Sequence, residues 1–150
     1  MNETIRKFGW PDTLVAEFDH WVVLARPAQP TLGSLVLAAK SDATAFGDLP
    51  AEAHTELKPV TQAIEAALGR AVAYAKLNYL MLMMVDREVH FHVIPRYEGA
   101  REWPQGSSVA REFVDCGWPK VPDLGHAVVL DQGELAALVA WLKDAFAPKG

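Results

Sequence analysis

Glu88-Val89-His90-Phe91-His92-Val93-Ile94-Pro95-Arg96 places two histidines one residue apart inside a run otherwise made of strand-forming residues. In an extended strand alternate side chains share a face, so Glu88, His90 and His92 project together while Val89, Phe91 and Val93 point the other way. Neighbours on the polar face lie about 6–7 Å apart. Two imidazoles at that spacing can work on one small anionic or metal-bound group, and every side chain on that face titrates. The opposite face is committed to a core. An exposed strand face that happens to carry histidine is the plain alternative.

Upstream, His20–Ala25 and Ser34–Ala39 read as short buried strands. Two prolines and a glycine between them (Pro27, Pro30, Gly33) mark a wide antiparallel hairpin loop that carries backbone donors and Arg26 towards a ligand. Leu57, Val60, Ile64 and Leu68 repeat at helical spacing, with Pro50 near the start, Gly69 closing the pattern, and Pro59 inside marking a kink or restart. Ala71–Val85 reads as a strand whose Met81, Met83 and Met84 fill irregular gaps in the core. Asp86-Arg87 then makes a tight connection, so this strand pairs antiparallel with the one bearing His90.

Downstream, 97–123 is rich in Gly, Pro, Trp and charge and has no sustained period. A connection that long is usually a lid or a partner-contacting arm. Trp103 and Trp118 either wall a nucleobase pocket or simply pack. The chain resumes as a short strand, His126–Leu130, and a final helix. Asp131 and Glu134 form a capping-box start for that helix, and Leu135, Leu138, Val139, Leu142 and Phe146 form its apolar stripe. His54 and His126 read as incidental, as does the lone Cys116.

With 150 residues, 51% of them apolar, the chain fits one domain spanning 1–150. The net charge of -5 argues against a nucleic-acid coat or a membrane-surface protein, without excluding one bound nucleotide. A single cysteine rules out an intrachain disulfide framework and suits a reducing compartment. The N-terminus lacks the apolar core of a secretory signal, and no apolar run reaches bilayer-spanning length. Cytoplasmic location, with no membrane partner, is the expectation.

His90-Phe91-His92-Val93-Ile94-Pro95-Arg96 resembles the second and third histidines and the apolar tail of the histidine triad (HIT) superfamily of nucleotide hydrolases and transferases. Leu32-Gly33-Ser34-Leu35-Val36-Leu37 and Lys76-Leu77-Asn78-Tyr79 look like segments of its bacterial branch related to diadenosine polyphosphate hydrolases, so the likeness covers about residues 18–97. Three positions depart from the pattern. Glu88 stands for the first triad histidine, Ser34 for a histidine often found after the hairpin glycine, and Met84 for an asparagine common before the motif.

The resemblance implies an α+β fold: a central antiparallel sheet, one long helix packed on it, a C-terminal helix, and usually a homodimer. It makes His90 the nucleophile that attacks the α-phosphorus of a purine nucleotide or dinucleoside polyphosphate, His92 a phosphate-contacting partner, and Asn78 a ribose contact. Arg26 is a further nucleotide-binding candidate. No cofactor and no metal are implied. Glu88 has two readings. Across about 6.5 Å at an effective dielectric of about 20, its carboxylate interacts with a neighbouring charge by roughly 2–3 kcal/mol, which favours the charged form of His90 and repels phosphate. Alternatively, it accepts a hydrogen bond that fixes an imidazole tautomer.

Three functions remain open at this level. One is hydrolysis of a nucleotide phosphoanhydride or phosphoramidate, or nucleotidyl transfer, through a histidine nucleophile. Another is nucleotide binding with little catalysis. The third takes Glu88, His90 and His92 as metal ligands on one strand. No GxxxxGKS phosphate loop and no GxSxG elbow is present.

Overall fold

The computed structural model describes residues 1–147; Pro148, Lys149 and Gly150, the end of the span expected to form one domain, lie outside the described residues. In chain order the elements are α1 (Glu3–Lys7), β1 (Leu14–Glu17), β2 (Trp21–Ala25), β3 (Ala28–Gln29), β4 (Leu35–Ala39), a 3-10 turn (Phe46–Asp48), α2 (Ala51–Val72), β5 (Lys76–Leu80), β6 (His90–Arg96), β7 (Ala100–Trp103), β8 (Arg111–Val114), β9 (Val128–Val129) and α3 (Gln132–Phe146). The expected α+β architecture is present. Five antiparallel strands in the order β1-β2-β4-β6-β5 form the central sheet, and β3-β9 and β7-β8 form two small ribbons.

Every residue of β2 and β4 is buried. They read as continuous apolar runs because both faces of the sheet are covered. On one face Trp21, Val23, Leu35 and Leu37 join Val60, Ile64 and Leu68 of α2 and Leu138 and Leu142 of α3 in the main core. On the other, Val22, Leu24, Val36 and Ala38 form a smaller cluster with Ile5 of α1, against which Phe8 and Trp10 pack.

The hairpin, the long helix and the capped C-terminal helix follow the sequence reading, with four corrections. α2 runs through Pro59 as one 22-residue helix and passes Gly69. It extends to Val72 because that side chain is buried in the core. Ala73 then takes the left-handed conformation (φ 48°), and Arg101 donates to the carbonyls of Val72 (2.8 Å) and Ala73 (3.1 Å), satisfying the helix end. The expected strand 71–85 is only Lys76–Leu80. Met81–Val89 is a loop in which Met83 has a φ of 53°, and Leu82, Met84 and Val85 are exposed. Met84 is therefore not core filling, although Met81 and Met83 do pack on the core. The 97–123 segment contains the β7-β8 hairpin, which buries Trp103 and Phe113. Finally, the strand expected at His126–Leu130 shrinks to Val128–Val129, paired with β3.

Gly33 lies where the hairpin loop crosses the core. Its φ of 92° favours glycine, and a Cβ there would stand 3.3 Å from the side chain of Leu68. Buried Gln29 knits the same loop: its Oε1 accepts from the backbone of Gly33 (2.9 Å) and Ser34 (3.1 Å), and its Nε2 donates to the carbonyls of Arg26 (2.6 Å) and Ser34 (2.8 Å). This fixes the backbone from which Arg26 projects.

Candidate functional site

β6 places His90 opposite Ala38 and His92 opposite Val36 of β4. Both imidazoles therefore lie on the α1 side of the sheet, as strand alternation requires. Their ring centroids are 5.3 Å apart at 84°. The ring of Phe8, just past α1, stands 5.7 Å from His90 and 5.8 Å from His92. His90 is 2% exposed and His92 9%.

Glu88 precedes β6, in a bend, and contributes through its backbone. Its carbonyl lies 2.8 Å from Nδ1 of His90. A carbonyl only accepts, so in the neutral ring Nδ1 carries the proton and Nε2 keeps a lone pair. The carboxylate is engaged elsewhere: Thr4 Oγ1 donates to Glu88 Oε2 (3.2 Å), and the Glu88 N–H donates back to Thr4 Oγ1 (3.3 Å). The hydrogen bond that sets the His90 tautomer therefore comes from the Glu88 main chain and not, as the sequence reading had it, from the carboxylate. Among the described residues no three His, Cys, Asp or Glu side chains converge to hold a metal.

His92 has Nδ1 buried with no hydrogen-bond partner. Burial, then the positive charge of Arg26, then His90 push its pKa down to about 4, with Asp86 partly opposing. At neutral pH this ring is uncharged. Arg26 follows β2 and is half-buried, which lowers its pKa from the ordinary value, yet a guanidinium stays a cation near neutrality. The Arg26 backbone N–H donates to the Ser34 carbonyl (3.0 Å) and its Nη1 to the carbonyl of Ala28 (2.8 Å), while Nε is buried without a partner. Trp10 Nε1, also on the α1 side, is the third such orphan.

Asn78 lies opposite Ile94 on β6, and its Oδ1 accepts from Nη1 of Arg96 (2.8 Å). The rest of that guanidinium is held by a buried, two-pronged pair with Asp115 (Nε–Oδ2 2.6 Å, Nη2–Oδ1 3.1 Å) and by the Lys120 carbonyl (2.7 Å). The Pro-Arg end of the motif thus anchors the following segment. Ser34 is fully buried and donates to the Thr31 carbonyl (2.7 Å), whereas Met84 is 83% exposed. Trp103 packs against Trp141 in a tilted arrangement (centroids 5.9 Å apart, 50° between planes) beside a cleft of about 660 Å³ near the end of α2. Trp118 is not among the residues that line that cleft.

The sequence reading missed the N-terminal contacts. Asn2 caps α1 and also donates to the carbonyls of Ala39 (2.8 Å) and Ser41 (3.0 Å), and Lys7 pairs with Asp86 (2.7 Å). The available signal was Asn2 followed by Ile5 and Phe8 at helical spacing.

No protein-family model matches the sequence, and no curated protein matches it. Solved structures do. A histidine triad protein of Bradyrhizobium japonicum is 18% identical over 98% of this chain and 97% of its own, with a TM-score of 0.66. A histidine triad (HIT) protein of Sinorhizobium meliloti is 21% identical over 96% and 94%, also at 0.66. A hypothetical histidine triad nucleotide-binding protein of Sulfolobus tokodaii is 16% identical over 95% and 89%, at 0.66. The sheet, the long helix and the C-terminal helix described above are thus those of the histidine triad fold.

Proposed function

We propose that this chain binds a purine nucleotide conjugate and cleaves or transfers it at the α-phosphorus, with His90 as nucleophile. One observation carries this reading: the Nδ1 bond of His90 to the Glu88 carbonyl, which leaves Nε2 with a free lone pair beside a second imidazole. In the first step Nε2 attacks phosphorus, an N–P bond forms, and the P–O or P–N bond to the leaving group breaks with its electron pair. Water or another acceptor then attacks the nucleotidyl-imidazole and releases His90. The covalent intermediate divides one difficult displacement into two easier ones.

Arg26 supplies the fixed positive charge for the phosphoryl oxygens. Its unpaired Nε and the unpaired Nδ1 of neutral His92 are the polar atoms that a phosphate would engage. Asn78, its oxygen held by Arg96, keeps its amide N–H groups for a ribose or phosphate oxygen. The diadenosine polyphosphate class is one substrate for the test, nucleoside phosphoramidates the other.

His90→Ala is expected to lower turnover at least a hundredfold while calorimetry still detects AMP binding. Equal turnover in that variant would remove the nucleophile. The near-complete burial of His90 favours a second reading, a nucleotide-binding protein with little catalysis. AMP binding by wild type with no product from either substrate class selects it.

A further inference from the structure

We infer that the N-terminal segment, through Phe8, is an intramolecular cap that holds the paired imidazoles closed to ligands. The inference rests on the nucleotide reading of that site. Phe8 makes a three-ring cluster with His90 and His92, and both histidines are nearly inaccessible in this arrangement. A nucleophile must bring its nitrogen to about 3–3.5 Å from the atom it attacks, and no phosphorus reaches a ring that is 2% exposed. The closed form is thus an incompetent one.

Two features make this a switch rather than a permanent core. Three buried side-chain polar atoms are found unpaired among the described residues: His92 Nδ1 and Trp10 Nε1 on the α1 side of the sheet, and Nε of Arg26, whose charge acts on His92. Groups left so raise the free energy of the closed form, and a polar ligand in the same place relieves them. The tether itself is short. α1 has five residues, held by Ile5 in the small apolar cluster and by polar bonds at the edge: Asn2 to Ala39 and Ser41, Thr4 to Glu88, and Lys7 to Asp86. Gly9 follows Phe8 at a φ of 96°. Thr4 bonds the same Glu88 whose carbonyl orients His90, so cap and nucleophile share one residue.

Cap and nucleotide then exclude each other. The apparent affinity is the intrinsic one reduced by the fraction of open molecules, and bound nucleotide must release the cap in equal measure.

The test is carbethoxylation of histidines by diethyl pyrocarbonate in the full chain, mapped by mass spectrometry, with exposed His126 as internal standard. His90 and His92 should react at least tenfold more slowly than His126 in wild type. Phe8→Ala should raise their rate about tenfold, as should the milder Lys7→Ala, which removes one edge bond from a largely exposed side chain. AMP should bind about tenfold more tightly to Phe8→Ala and should increase amide hydrogen exchange across residues 3–8. His90 reacting as fast as His126 in wild type, or both folded variants labelling at the wild-type rate, would overturn the cap. So would AMP binding that leaves exchange at residues 3–8 unchanged. Faster labelling in the variants with no AMP binding at any concentration would uphold the cap and overturn the nucleotide reading instead.

Discussion

A neutral base packed beside a cation gives His92 a definite acid signature. Its folded pKa of about 4 lies below the ordinary 6.5. Between those values the unfolded chain takes up a proton that the folded chain refuses, so stability from this group is full above about pH 6.5 and falls as pH drops towards about 4. The loss is on the order of 1–3 kcal/mol. Urea midpoints at pH 7, 5.5 and 4.5 should show this decline in wild type, and His92→Asn should flatten it. Arg26 is tested by affinity. Arg26→Met keeps the stem, removes the charge, and should weaken AMP binding about tenfold, roughly 1.4 kcal/mol, in calorimetry at neutral pH. The alternation around His90 made the imidazole pair legible in the sequence. The role of the Glu88 main chain was not, because any residue at that position supplies a carbonyl.

At the scale of elements, local patterns and long-range bonds separate cleanly. β2 and β4 were legible from unbroken apolar runs divided by Pro27, Pro30 and Gly33, and α3 from its capping box, which the structure forms in both directions. β5 was overextended because Met81–Val85 is apolar in composition, although Leu82, Met84 and Val85 are exposed. The β7-β8 hairpin was hidden because only Trp103 and Phe113 of its eight strand residues are buried, too few to set a period. Arg96 and Asp115 stand 19 residues apart, and no spacing rule links them. Removing one member of a buried ion pair leaves the other charge uncompensated, typically at about 3–5 kcal/mol. Asp115→Ala should therefore lower the urea midpoint sharply, whereas Lys40→Ala, which breaks a partly exposed pair with Glu17, should change it by less than about 1 kcal/mol.

For the whole molecule, the sheet has two different sides: α2 and α3 bury one, and a single short helix shields the other. At its end, among the described residues, β5 pairs in the sheet with β6 alone and is followed by exposed Leu82, Met84 and Val85. Such an edge invites pairing with another copy, and we expect a homodimer. Sedimentation equilibrium should return about twice the 16.5 kDa chain mass, and Tyr79→Pro on that edge should return the monomer mass. The Arg96 guanidinium adds a consequence of its own. One planar group grips the 115–120 turn with two nitrogens and Asn78 with the third. Slack in that distal turn is thus passed straight to the amide proposed to meet the sugar, and a loosened turn would show up first as blurred discrimination among nucleosides, with bond-breaking speed untouched.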